Sequence, residues 1–143
     1  MKSIWFKPVT LDEINHWAAH RLMTTLGIEL VAIGDDHLHA RMPVDERTIQ
    51  PMGCLHGGAT CVLAETVGSI AAHFCIDPQL KMCVGLEINV NHIKSMQNGW
   101  VNAIARPLHL GKSTQIWDIQ VQNEHQALVA VSRLTIAVLN KRI

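Results

Sequence analysis

Between Thr48 and Ile76 the only Asp, Glu, Lys or Arg is Glu65. Within that span, Gly57 to Cys75 contains no proline and is built largely from Ala, Leu, Val and Ile. A helix apolar on nearly every face is predicted there, and such a helix belongs in the middle of a fold. Thr60, Glu65, Thr66, Ser69 and His73 punctuate the Gly58 to Ile76 run, which suits a buried core helix better than a membrane span. Asp77-Pro78 closes it, because proline disfavours helical geometry in the residue before it. A lone carboxylate in this setting must be desolvated, paired or used, since an unpaired buried charge is costly.

The remaining elements are arranged around that helix. Thr10-Leu11-Asp12-Glu13 has the form of a capping box, and a short helix is expected after it, with Ile14, Trp17 and Ala18 at helical spacing and an end near Gly27. His16 and His20 fall one turn apart on it; with no H-E-x-x-H base and no third ligand, they are expected to face solvent rather than bind zinc. Ile28–Ile33 and His37–Val44, separated by Gly34-Asp35-Asp36, predict a hairpin with one buried face, and Pro43 marks its end or an edge. Asp45 to Gly53 reads as loop. Four strand-like segments follow the long helix: Met82–Ile93, Gly99–Leu108, Thr114–Gln122 and Ala127–Leu139. Asn98-Gly99 between the first two is a hairpin signal, so these strands are expected to form a meander. The pattern predicts an α+β domain over 1–143 in which an antiparallel sheet wraps one central helix.

Lys plus Arg equals Asp plus Glu at 12 each, so no overall basic field points to nucleic acid or an anionic membrane. Cys54, Cys61, Cys75 and Cys83 show no C-x-x-C spacing and are expected to be buried reduced thiols, which suits the cytoplasm. Met1 to Thr10 reads as neither signal nor anchor.

Several blocks, in this order and spacing, resemble the hotdog-fold acyl-CoA thioesterases that act on aromatic acyl groups such as 4-hydroxybenzoyl-CoA and 1,4-dihydroxy-2-naphthoyl-CoA. They are Met42-Pro43-Val44-Asp45 with Arg47-Thr48, Gln50-Pro51 with Gly53, Leu55-His56-Gly57-Gly58-Ala59 with Leu63-Ala64-Glu65, Val84-Gly85-Leu86-Glu87-Ile88-Asn89 with Asn91-His92, and Pro107-Leu108-His109-Leu110-Gly111. The resemblance implies a hotdog fold and a homo-oligomer, a dimer of dimers. It implies Glu65 as the catalytic carboxylate, acting as nucleophile or as base on water, and the Gly57 amide polarising the thioester carbonyl. His56 and Gln50 would be arranged around the same group, with Ser69 assisting. Gly85, His92, Ile93, Lys94 and Ser95, and His109, Leu110, Gly111, Lys112, Ser113 and Thr114, would line the path of coenzyme A. Coenzyme A is then part of the substrate, and neither a separate cofactor nor a metal is implied. Met52 stands where close relatives are expected to carry an aromatic residue.

The chemistry asks for these residue types. Thioester hydrolysis attacks a carbonyl carbon and stabilises an oxyanion, and a free amide at a helix N-terminus suits the second task. Gly57-Gly58 would let substrate approach closely, or the two glycines simply begin the helix where the chain turns. An apolar setting makes Glu65 a stronger base once water is excluded; otherwise it is a buried glutamate satisfied by Thr66, Ser69 or a histidine. Ser69, four residues on, shares its helix face. If Gly57 opens the helix, Glu65 lies roughly 12 Å along it, too far for one carbonyl to contact both. The site is therefore expected to be shared, with Gln50, His56 and Gly57 of one chain facing Glu65 and Ser69 of another.

Lys94 and Lys112 are the cations expected at the phosphates of coenzyme A, or else solvated loop lysines. Gly111-Lys112-Ser113 mimics the end of a P-loop, but Arg106 occupies the position of the first glycine, which discounts nucleotide hydrolysis. Met52, Leu55, Val62 and Phe74 are expected along the acyl pocket. The other functions compatible with the sequence are proofreading of aryl-carrier-protein thioesters, a hotdog-type dehydratase using His56 and Glu65, and an acyl-CoA binding module without turnover.

Overall fold

The computed structural model describes residues 2–19 and 22–142. Helices α1 (Leu11–Ala18) and α2 (Leu22–Leu26) precede a hairpin of β1 (Glu29–Ile33) and β2 (Leu38–Pro43). The long helix α3 (Gly57–Phe74) comes next, followed by β3 (Lys81–His92), β4 (Trp100–Leu110), β5 (Thr114–Asn123) and β6 (Leu128–Asn140). The strands form one antiparallel sheet in the order β1-β2-β4-β5-β6-β3, and α3 packs against β2 through β6. This is the α+β arrangement expected, a sheet wrapped on one helix.

The capping box forms as its residue types dictate: Thr10 Oγ1 accepts from the Glu13 amide at 3.2 Å and Glu13 Oε2 from the Thr10 amide at 2.7 Å. The helix after it is shorter than expected. Ala19, with ψ at 71°, leaves helical geometry, and a second short helix runs to Leu26 before Gly27 turns the chain at φ +69°. Pro43 ends β2 beyond the reach of β1, whose first residue, Glu29, pairs with Arg41. The Val44 amide bonds Gly99 O, so the nitrogen of Pro43 points to the unpaired side, where a missing donor leaves no ladder bond broken.

The expected four-strand meander is corrected. Only β4, β5 and β6 are consecutive neighbours; β3 pairs with β6 at the far edge of the sheet, from Lys81 with Asn140 to His92 with Ala130. Asn98-Gly99 does turn, with Gly99 at φ +83°, but it ends a crossover rather than a hairpin. That crossover is held by Ile93 and Lys94 amides on Val129 O and by the Leu55 amide on Met96 O.

The core lies between α3 and the concave sheet face, where Leu63, Val67 and Ala71 meet Val101, Trp117, Ile119 and Leu134. Trp117 is fully buried and donates its indole N–H to Gln115 Oε1 at 3.0 Å, and Gln115 in turn reaches Ala72 O, so the polar groups are satisfied. Helix α3 is less enclosed than its composition predicts: Val62, Glu65, Thr66, Ser69, His73 and Phe74 stay half-exposed on one stripe. Strand β3 is exposed along most of its length, with Leu86 64% exposed and its outer edge unpaired.

Candidate active site

Two hollows in the chain carry the expected site residues. The first lies at the N-terminus of α3. Arg47 pairs with Asp45 at 2.7 Å, Thr48 Oγ1 donates to Pro43 O at 2.7 Å, and the His56 amide returns to Thr48 O, so the loop delivering the helix is pinned at both ends. His56 is the N-cap, its Nδ1 accepting from the Gly58 amide at 2.8 Å. Gly57 is the first helical residue, and its amide meets no acceptor among the described residues. The ring of His92 stands over it: a Cβ on Gly57 would lie 2.9 Å from His92 Nε2. Gln50 is tied to its own loop, Oε1 accepting from the Met52 amide. A cavity of about 340 Å³ gathers Gln50, Gly57 and His92 with Ile93, Lys94 and Ser95. It thus presents an uncommitted amide at the positive end of a helix beside a lysine, an arrangement able to stabilise developing negative charge.

The second hollow lies two turns along α3. Ser69 Oγ donates to Glu65 Oε1 at 2.7 Å, the contact that i, i+4 spacing predicts. Gly85 of β3 passes so close that a Cβ there would lie 2.9 Å from the same oxygen. A cavity of about 850 Å³ opens at this carboxylate, lined by Glu65, Thr66, Ser69 and Ile70 of α3, by His16, Trp17 and Ala18 of α1 and by Met23 of α2. Within one chain, therefore, Glu65, Ser69 and Gly85 come together, and so do Gln50, Gly57 and His92 to Ser95, in separate places.

The turn from His109 to Thr114 stands apart from both. The Gly111 amide bonds Thr114 O at 2.8 Å, and Lys81 Nζ reaches Lys112 O at 3.3 Å. Thr114 is level with Val84 of β3 across Ala137 of β6, so the turn lies two strands away from the Glu65 side, roughly 10 Å across the sheet. Lys112 is exposed there.

The expected acyl-pocket residues lie away from the Glu65 cavity of the same chain. Met52 is 85% exposed, Leu55 lines the Gly57 cavity, Val62 packs against the core and Phe74 lies further down α3; none of the four borders the Glu65 cavity. His16 is exposed as expected, yet it borders that cavity; His20 lies outside the described residues. Trp17, at helical spacing with Ile14 and Ala18, is 47% exposed and stacks on His73, with centroids 4.2 Å apart and planes at 14°. Burial, with Lys141 nearby, holds His73 below the usual imidazole value. The sequence signal for these residues was present but silent: an aromatic at the end of α1, and Glu65, Ser69 and His73 recurring at four-residue steps on α3.

The chain is similar to known proteins over nearly its whole length. The family described as the thioesterase superfamily matches residues 52–130. The chain is 46% identical to the 1,4-dihydroxy-2-naphthoyl-CoA hydrolase of Escherichia coli (strain K12), over 95% of this chain and 99% of that protein. It is 43% identical to the proofreading thioesterase EntH of Cronobacter turicensis, over 95% and 98% respectively. A solved mutant thioesterase from Pseudomonas aeruginosa superposes with a TM-score of 0.94 at 42% identity, covering 97% of this chain and all of that one.

Proposed function

The chain belongs to the thioesterase superfamily, and from that premise we propose that it hydrolyses an aromatic acyl-CoA, with 1,4-dihydroxy-2-naphthoyl-CoA of menaquinone synthesis as the leading substrate. The observation that carries the aromatic reading is the setting of Glu65: a carboxylate hydrogen-bonded by Ser69 at the mouth of a cavity walled by Trp17, Met23 and Ile70. Apolar walls with a few convergent polar groups suit an aryl group whose reacting carbonyl remains at the polar end.

In this reading Glu65 attacks the thioester carbon itself or takes a proton from a water that does so. The oxygen–carbon bond forms, the carbonyl electrons move to oxygen, and the Gly57 amide of a second subunit receives that charge. Collapse breaks the carbon–sulfur bond and coenzyme A leaves as a thiolate that takes up a proton. The direct route passes through an anhydride that water then opens. His56 holds the Gly57 helix start in place, and Gln50 and His92 flank it. Gly85, Ile93, Lys94 and Ser95 border the path of coenzyme A, and the turn His109, Leu110, Gly111, Lys112, Ser113, Thr114 takes its phosphates. The protein works in the cytoplasm as a homo-oligomer, without a separate cofactor or metal.

A second reading, proofreading of aryl thioesters on a carrier protein, is favoured by the 43% identity to EntH. A kcat/KM panel over naphthoyl, hydroxybenzoyl and fatty acyl-CoA and an aryl-carrier thioester separates the two. The proposal expects the bicyclic aryl-CoA to lead by more than about tenfold, ~1.4 kcal/mol of discrimination. A flat panel sinks it, and a lead for the carrier thioester replaces it with the second reading. Glu65→Gln is expected to lower kcat by about 10²- to 10⁴-fold, the range for loss of a general base.

A further inference from the structure

The Glu65 cavity has a smaller neighbour with which it shares one lining residue, Trp17. Glu65, Ser69 and His73 recur at four-residue steps on α3, with Thr66, Ile70 and Phe74 beside them, so one stripe runs about two turns along the helix. Trp17 crosses that stripe near its far end, stacked on His73 and edge-on to Phe74, with centroids 5.4 Å apart and planes at 82°. On its near side is the 850 Å³ cavity holding Glu65; on its far side is another of about 300 Å³ lined by Phe6, Lys7, His73, Phe74, Ile76 and Pro78. Trp17 borders both.

We propose that Trp17 is the end wall of the acyl pocket and sets the size of acyl group the enzyme accepts. The assignment rests on Glu65 being the reacting carboxylate of a thioesterase. His73 is eight residues beyond Glu65, so the wall stands roughly 12 Å along the helix from the reaction centre. The indole is held by ring contacts: the N–H groups of Trp5 and Trp117 donate to Gly34 O and Gln115 Oε1, whereas that of Trp17 has no acceptor among the described residues. Removing the ring would take away the one lining residue that the two cavities share, leaving room for a longer substrate that the wall now excludes. A wall of this kind acts on selectivity between substrates.

The test is a ratio measured on the whole protein. Binding of the non-hydrolysable thioethers S-benzyl-CoA and S-octyl-CoA is followed by calorimetry, and hydrolysis of benzoyl-CoA and octanoyl-CoA by thiol release. Trp17→Ala is expected to shift both ratios toward the octyl chain by at least about tenfold, the smallest step that a methylene entering an apolar pocket produces. Trp17→Phe should fall between it and the unmutated protein, and His73→Ala, which removes the stacking partner, should shift the ratios the same way by less. Partial unfolding lowers both members of each ratio and cancels; if Trp17→Ala does not fold, the Phe and His73 variants decide. Ratios within threefold of the unmutated protein, or no thioether binding, overturn the assignment. A shifted binding ratio without hydrolysis of any thioester keeps the wall and removes the thioesterase reading; hydrolysis with unmoved ratios does the reverse.

Discussion

Glu65 Oε1 is held between the Ser69 hydroxyl at 2.7 Å and a Gly85 Cα that leaves room only for hydrogen, the Cβ of any larger residue falling 2.9 Å from that oxygen. Gly85→Ala must therefore push the carboxylate off its position. Its kcat is expected to fall by about 10- to 100-fold with the melting temperature nearly unchanged, since a hydrogen bond to a charged group is worth ~1.5–3 kcal/mol and depends on geometry. Ser69→Ala should lose a similar factor while leaving KM close to its original value. Thiol-release kinetics beside thermal melts check both, and wild-type turnover by Gly85→Ala would show that this oxygen does no work. The cysteines give a second residue-scale prediction. Burial raises Cys75 to about 12, with Cys83 adding to the effect, and raises Cys83 to about 11. At pH 8 their thiolate fractions are at most about one in 10³, so iodoacetamide should leave both unmodified in the native protein and label them in urea. Peptide mass spectrometry reads the outcome, and rapid native labelling of either would contradict it.

At the scale of elements, α3 packs closely on β6 at Gly68. A Cβ on Gly68 would lie 2.6 Å from Leu134 Cδ2, so the helix sits on the sheet at a distance that only glycine permits. Gly68→Val is expected to destabilise by about 1–3 kcal/mol through overpacking, measurable as a lower urea midpoint at unchanged m-value. Elements whose cause is local were legible in the sequence. The capping box of Thr10 and Glu13, the start of α3 at Gly57 and the Glu65–Ser69 pair all follow from spacing along a few residues. Elements whose cause is tertiary were not. Asn98-Gly99 specifies a turn but cannot specify which strand lies across the sheet, so β3 was expected beside β4 when its partner is β6. Trp17 and His16 joined the cavity of Glu65 because the Trp17 ring reaches across to His73 and Phe74 of α3, a contact that periodicity within α1 does not encode.

For the whole molecule, the separation of the two hollows and the open edge of β3 bear on one question. Gly85 of β3 adjoins Glu65 and His92 of β3 covers Gly57, so a single strand borders both half-sites, those two strand residues lying roughly 23 Å apart along it. An antiparallel pairing of β3 with its copy about a two-fold axis near Ile88 and Asn89, midway between those residues, brings each chain's Gly85 beside the other chain's His92. Each Glu65 would then face a partner's Gly57 amide, and the exposed edge around Leu86 would be covered. Glu65→Ala and Gly57→Pro chains, coexpressed with different tags, test this. Proline is favoured at the first turn of a helix and removes the amide donor there, though its ring would also crowd His92. Each homodimer is expected to be inactive, whereas a mixed dimer purified through both tags holds one intact site of two and should recover about half of the wild-type kcat per dimer. Mixed dimers that form but stay inactive would rule out a shared site, and activity in the Gly57→Pro homodimer would remove the amide from the mechanism.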